Sequence, residues 1–130
     1  MTEHYPDIEI YLAPVSLDAV QRWLSDRLEQ AVTLKASSKG QWRARVETPG
    51  GTVPVLLIEK AADRFMSLWL DSDATPWARD VDCARDARES LGIEVRCSLG
   101  GWQPGDEPDR FFRVLASGEE EVFHWPDPGA

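Results

Sequence analysis

The residues best equipped for chemistry lie in Asp71-Ser72-Asp73-Ala74-Thr75, where two carboxylates stand two positions apart after an apolar run. Paired acids can divide labour, one staying ionised while the other passes a proton. They can also hold a cation, but the segment lacks the glycine and the terminal glutamate that a calcium loop requires. His4 and His124 sit near opposite ends of the chain, so neither a three-ligand metal site nor a histidine-assisted nucleophile is readily assembled. No metal and no cofactor is expected. Cys83 and Cys97 read as buried, inert thiols, because no basic cluster adjoins either to lower its pKa.

With its D-x-D-x-T order, after a hydrophobic strand and before a helix, the same segment resembles the nucleophile motif of haloacid-dehalogenase-type phosphatases. The resemblance implies Asp71 as nucleophile and Asp73 as acid/base, with Asp106 beside Gly105 in the place of that family's magnesium-binding acids. It covers these loops alone. That chemistry also uses a downstream lysine, and none occurs after Lys60. The chain beyond the motif is also too short for the parallel sheet of that family. The preferred reading is that Asp73 and Thr75 cap a helix whose positive end favours acids. The strand-helix-strand order, met twice, is similar to that of vicinal-oxygen-chelate proteins, which pair two such modules around a metal, but His and Glu ligands are not evident at the strand positions.

Six tryptophans in 130 residues give a second kind of candidate. Trp23, Trp42 and Trp77 fall on periodic positions that make them core, whereas Trp69 lies on the second face of a hairpin and Trp102 in a loop among acids. An aromatic side chain ringed by acids suits a basic protein or a cationic ligand. The candidate binding residues are therefore Trp69, Asp71, Asp73, Trp102 and Asp106. Arg43, Arg45 and Arg96, with Arg113, project from strands and can either hold an anion or pair across strands with Glu47 and Glu94; pairing is preferred.

The elements that must position these residues centre on Val53–Asp71, two apolar runs joined at Ala61-Ala62-Asp63-Arg64. Leu56, Ile58, Met66, Leu68 and Leu70 are assigned to one face, and Val55, Leu57, Phe65 and Trp69 to the other. A strand apolar on both sides belongs inside a sheet. If the second face is left bare, a symmetric dimer is expected to cover it. Before the hairpin come an alternating strand at Ile8–Ala13, a helix capped by Ser16 and running to about Gln30, a loop at Lys35–Gly40, and a strand at Gln41–Glu47. After it come a helix opened by Thr75-Pro76 and closed at Gly92, a strand at Ile93–Leu99, a polar loop at 100–109 and a hairpin around Gly118. The fold expected is α+β: an antiparallel sheet of six or seven strands with two helices on one face, the strand-helix-strand-strand arrangement repeated. Residues 1–125 are expected to form one domain, with 126–130 a flexible tail.

Charge narrows the partners. The net charge of −9 is uneven, about −1 over residues 1–60 and −8 over 61–130. Such a surface repels nucleic acid and anionic lipid and attracts basic proteins. The longest apolar run, Val53–Ile58, is far too short to span a bilayer, and no basic start or apolar stretch marks a leader, so a cytoplasmic protein is expected. The function expected is a non-catalytic acidic module that binds a basic protein partner, in the manner of an inhibitor or immunity protein. The alternative is a small-molecule binder or enzyme with its pocket between the sheet and loop 100–109.

Overall fold

The computed structural model describes residues 5–98 and 110–125. They form an α+β fold with two helices and one eight-stranded sheet, antiparallel at every pairing. The elements in chain order are β1 (Ile8–Leu12), α1 (Leu17–Leu28), β2 (Lys35–Ser38), β3 (Gln41–Thr48), β4 (Gly51–Ala62), β5 (Phe65–Leu70), α2 (Asp80–Leu91), β6 (Val95–Ser98), β7 (Arg110–Val114) and β8 (Glu120–His124). Across the sheet the order is β2-β3-β4-β5-β1-β6-β7-β8. The extra strand relative to expectation is β2, which pairs with β3 although all four of its residues are exposed. Only hydrogen bonds to β3 make it a strand, and apolar periodicity carries no such signal.

The same order of elements, strand-helix-strand-strand-strand, occurs twice, but its two copies are laid down differently. After α1 the chain crosses to the sheet margin at β2 and works inward to β5; after α2 it enters beside β1 and works outward to β8. The halves share an element order and not a topology.

The cross-strand register corrects the faces assigned to the hairpin. Val55 pairs with Leu70 and Leu57 with Leu68, and partners in a ladder share a face. Val55 and Leu57 therefore lie with Met66, Leu68 and Leu70, while Leu56 and Ile58 lie with Ser67 and Trp69. A register one residue different reverses every such assignment, and the turn sets it. Ile8, Ile10 and Leu12 of β1 complete the inner layer, all fully buried, with Val20, Trp23 and Leu24 of α1 and Cys83, Ala84 and Ala87 of α2 above them. Val55 and Leu57 therefore do not share a face with Phe65 and Trp69, and these four residues do not make the single apolar face that a dimer was expected to cover.

The opposite face has its own cover on the β5–β1–β6–β7 side. Trp125, 3% exposed, meets Tyr11, Phe65 and Phe111 edge-on and stacks with Phe123. Its indole N–H donates to Asp63 in the β4–β5 turn at 2.6 Å. The Arg96 guanidinium lies over Phe65, Phe123 and Trp125 at 4.2, 4.9 and 4.8 Å, and Glu94 accepts from its Nε at 2.8 Å. Phe65 is thus buried on this face by aromatic rings of the same chain.

Both helices start and stop for local reasons. The Ser16 hydroxyl accepts from the Ala19 amide at 3.1 Å, as expected, and α1 ends two residues early, with Glu29 left-handed (φ 54°). α2 does not open at Thr75-Pro76. Its first residue is Asp80, and the Asp82 carboxylate accepts from the Arg79 amide at 3.1 Å. The Thr75 hydroxyl instead donates to the Trp77 carbonyl at 3.0 Å, and the Trp77 ring lies 5.3 Å from that of Trp23. Anchoring Trp77 in the core fixes an irregular segment where propensity favours helix. Gly92 closes α2 as expected, at φ 68°, its amide donating to the Arg88 carbonyl.

Candidate functional site

The most distinctive cluster of polar groups lies at one end of the sheet, where β1 begins, β5 and β6 end and α2 begins. Antiparallel pairing of β1 with β5 and with β6 brings these four termini together. Glu9 stands opposite Trp69, and Asp7 and Asp71 lie one step beyond the Ile8–Leu70 pair, on adjacent strands. Asp7 accepts the Trp69 indole N–H at 2.7 Å, fixing the ring across the strand ends. Tyr11 donates its hydroxyl to Glu9 at 3.1 Å; its pKa is pushed up to about 12, first by burial and then by the Glu9 charge.

Asp80 links this corner to α2. The β1–β6 ladder ends at the Tyr11–Arg96 pair, which leaves the Glu9 amide without a strand partner. The Asp80 carboxylate accepts that amide at 3.2 Å, and the Ser98 hydroxyl donates to its other oxygen at 3.4 Å. Burial raises the Asp80 pKa to about 6, helped by the charges of Asp7 and Glu9 and opposed by the two hydrogen bonds.

The acids of this corner differ from many others among the described residues. Asp18, Asp82, Asp86, Glu94, Glu120 and Glu121 each face an arginine. At Asp86 burial favours the neutral acid, but hydrogen bonds from Arg27 and Trp77 prevail and hold the pKa below the usual carboxylate range. Asp7, Glu9, Asp71 and Asp80 have no lysine or arginine partner among the described residues. Like charges gathered without cations create a local field that favours a cation from outside.

Of the residues singled out in the sequence, Trp69 and Asp71 belong to this corner. Asp73 is exposed in the segment that leads away from it toward α2. Trp102 and Asp106 lie outside the described residues, as do His4, the loop at 100–109 and the tail at 126–130. Asp71 and Asp73 follow a strand of an antiparallel sheet, so the parallel-sheet setting implied by the phosphatase resemblance is not found. Among the described residues no three His, Cys, Asp or Glu side chains gather to hold a metal ion. Asp7, Glu9 and Asp80 escaped sequence reading because each looks ordinary alone, an acid at the head of a strand or helix. Only the pairing of β1 with β5 and β6 makes them neighbours.

Arg43, Arg45, Arg96 and Arg113 are not one set. Arg113 faces Glu121 across the β7–β8 ladder and reaches Glu94 at 3.8 Å, so the expected cross-strand pairing is seen there, whereas Arg96 bonds Glu94 two residues away along its own segment. Arg45 reaches Glu47 at 3.5 Å, with both side chains exposed. Arg43 lies on β3, four strands from β6. Cys83 and Cys97 are fully buried free thiols, and burial raises the pKa of both, that of Cys97 to about 12.

No helix among the described residues is long and apolar enough to cross a membrane. Comparison of the chain with protein-family models, curated proteins and solved structures gave no match to any of them.

Proposed function

We propose that this protein is a non-catalytic, acidic binding module that docks a basic protein partner through the corner formed by Asp7, Glu9, Trp69, Asp71 and Asp80. A single observation carries the reading: the carboxylates gathered at this corner have no cation partner among the described residues, whereas eight other described acids pair with an arginine. Half-buried Trp69, its indole N–H engaged by Asp7, offers a ring against which a lysine or arginine side chain can lie. The net charge of −9 steers such a partner from a distance, and salt screens that attraction over about 10 Å at 0.1 M. A cytoplasmic setting belongs to the same proposal and is consistent with two cysteines buried as free thiols.

The test is a titration with an arginine-rich peptide and with a glutamate-rich peptide of equal length, followed by calorimetry at low and high salt. Binding of the basic peptide alone, weakened by salt and by Glu9→Gln with Asp71→Asn, supports the proposal. Equal binding to the double variant removes it.

A second reading draws on Asp80. A carboxyl titrating near 6 can exchange a proton at neutral pH, as acid–base chemistry requires. Ser98, which touches Asp80, also ends β6, and the segment at 100–109 follows it. A small-molecule site between that segment and the sheet predicts that a ligand shifts the Asp80 titration. A basic peptide docked at this corner, as the first reading has it, lowers the Asp80 pKa instead, because a nearby cation favours the ionised acid.

A further inference from the structure

At the β2 margin of the sheet the charge pairing seen elsewhere breaks down in the opposite sense. The register places Lys35 directly opposite Arg43, so the two cations share a face. Like charges in that relation repel, and an acid close by is the usual remedy. Neither Lys35 nor Arg43 has one among the described residues, whereas Arg22, Arg27, Arg79, Arg85, Arg96 and Arg113 each hold a carboxylate. Arg45, two residues along the same face, reaches only Glu47. Three cations collected at one edge run against the composition of a chain of net charge −9.

They also border a recess. Thr33, Lys35, Ser37, Arg43, Arg45 and Pro54 line an open cavity of about 640 Å³, Pro54 standing opposite Arg45 in the ladder. That volume is in the range of small-molecule sites, and a few convergent polar groups beside an apolar patch are the usual makings of one. β2 is the outermost strand and all its residues are exposed, so among the described residues nothing closes off the approach.

We propose that this recess binds a small ligand carrying two or more oxyanion groups, phosphate or carboxylate. One group bridges Lys35 and Arg43 and removes their repulsion, the guanidinium fork donating to it in bidentate fashion. A second reaches Arg45, and the hydroxyls of Thr33 and Ser37 supply neutral donors between them. The acidic surface elsewhere confines anions to this edge. The site stands apart from the acidic corner and takes ligands of the opposite charge, so either proposal can fail without the other.

The experiment uses the full chain with inorganic pyrophosphate and citrate as probes, read by calorimetry and by amide chemical shifts. The expected result is saturable binding at one site, with shifts centred on residues 33–37 and 43–45. Arg43→Gln and Lys35→Gln, both at exposed positions, each weaken binding about tenfold or more while circular dichroism stays unchanged. Binding of pyrophosphate alone assigns a phosphorylated ligand, and binding of citrate alone assigns a polycarboxylate; either supports the proposal. Failure of both probes to saturate overturns it, as does affinity unchanged in both variants. An oligoglutamate peptide that binds when both small anions do not also overturns it, and makes the β2 edge a docking strand for an acidic segment.

Discussion

Asp80 shows how much of a side chain's behaviour its neighbours impose. Its carboxyl titrates at about 6 when folded, against an ordinary 3.8, mainly because burial disfavours the charge. A raised acid pKa means that the folded chain holds the proton more tightly than the unfolded one. The group therefore favours folding below about pH 4, and that contribution is lost as pH rises through 4 to 6. Asp80→Asn keeps an oxygen for the Glu9 amide and cannot ionise. Denaturant unfolding across pH 4–8 should show the variant with a flatter profile over that interval and a stability gain at pH 7–8. The two thiols provide a second check at this scale. Raised pKa values and complete burial predict that Cys83 and Cys97 resist a disulfide reagent at pH 8 in the native protein and react together once it is unfolded.

At the scale of elements, the β4–β5 turn is the strained piece. Ala62 pairs with Phe65, and the two residues between, Asp63 and Arg64, both sit left-handed at φ 47° and 70°. A two-residue hairpin loop of this kind suits the right-handed twist of its strands, and asparagine-glycine is its usual occupant. Asp63 has a reason to stay, since its carboxylate accepts the Trp125 indole. Arg64 has no comparable bond among the described residues. Arg64→Gly should raise stability by up to about 1 kcal/mol, since a non-glycine residue in that conformation is strained by roughly 1–2 kcal/mol. A change of that size is measurable by chemical denaturation, and a loss of stability would show that the Arg64 side chain does more than occupy the turn.

For the molecule as a whole, Trp125 ties the end of the described chain to the β4–β5 turn 62 residues earlier and roofs the second face of the sheet. Removing it should uncover Phe65 and the Arg96 guanidinium stacked on it. Trp125→Ala is expected to destabilise by about 3–5 kcal/mol, the range for truncating a buried tryptophan, and to increase binding of a hydrophobic dye. A shift below about 1 kcal/mol would mean that the aromatic cover is dispensable. Charge is divided on the same scale: among the described residues, Lys35 and Arg43 at the β2 margin have no carboxylate partner, and Asp7, Glu9, Asp71 and Asp80, where β1, β5 and α2 meet, have no cation partner.

Much of the architecture follows from the order of residues alone. Alternation in Ile8–Leu12 and Gln41–Glu47, the Ser16 cap and Gly92 each act over a few neighbours, so strands, helix ends and the α+β class could be read directly. Trp69 and Asp71 could be singled out by their types, but not the company they keep. Three features required the tertiary structure. Which face Val55 and Leu57 occupy depends on a register set by one turn. Trp77 holds residues 75–79 out of the helix by packing on Trp23. The acidic corner and the basic margin depend on which strands lie side by side. Side-chain pattern reports burial along one segment; adjacency between segments is decided by hydrogen bonds and packing that no single segment contains.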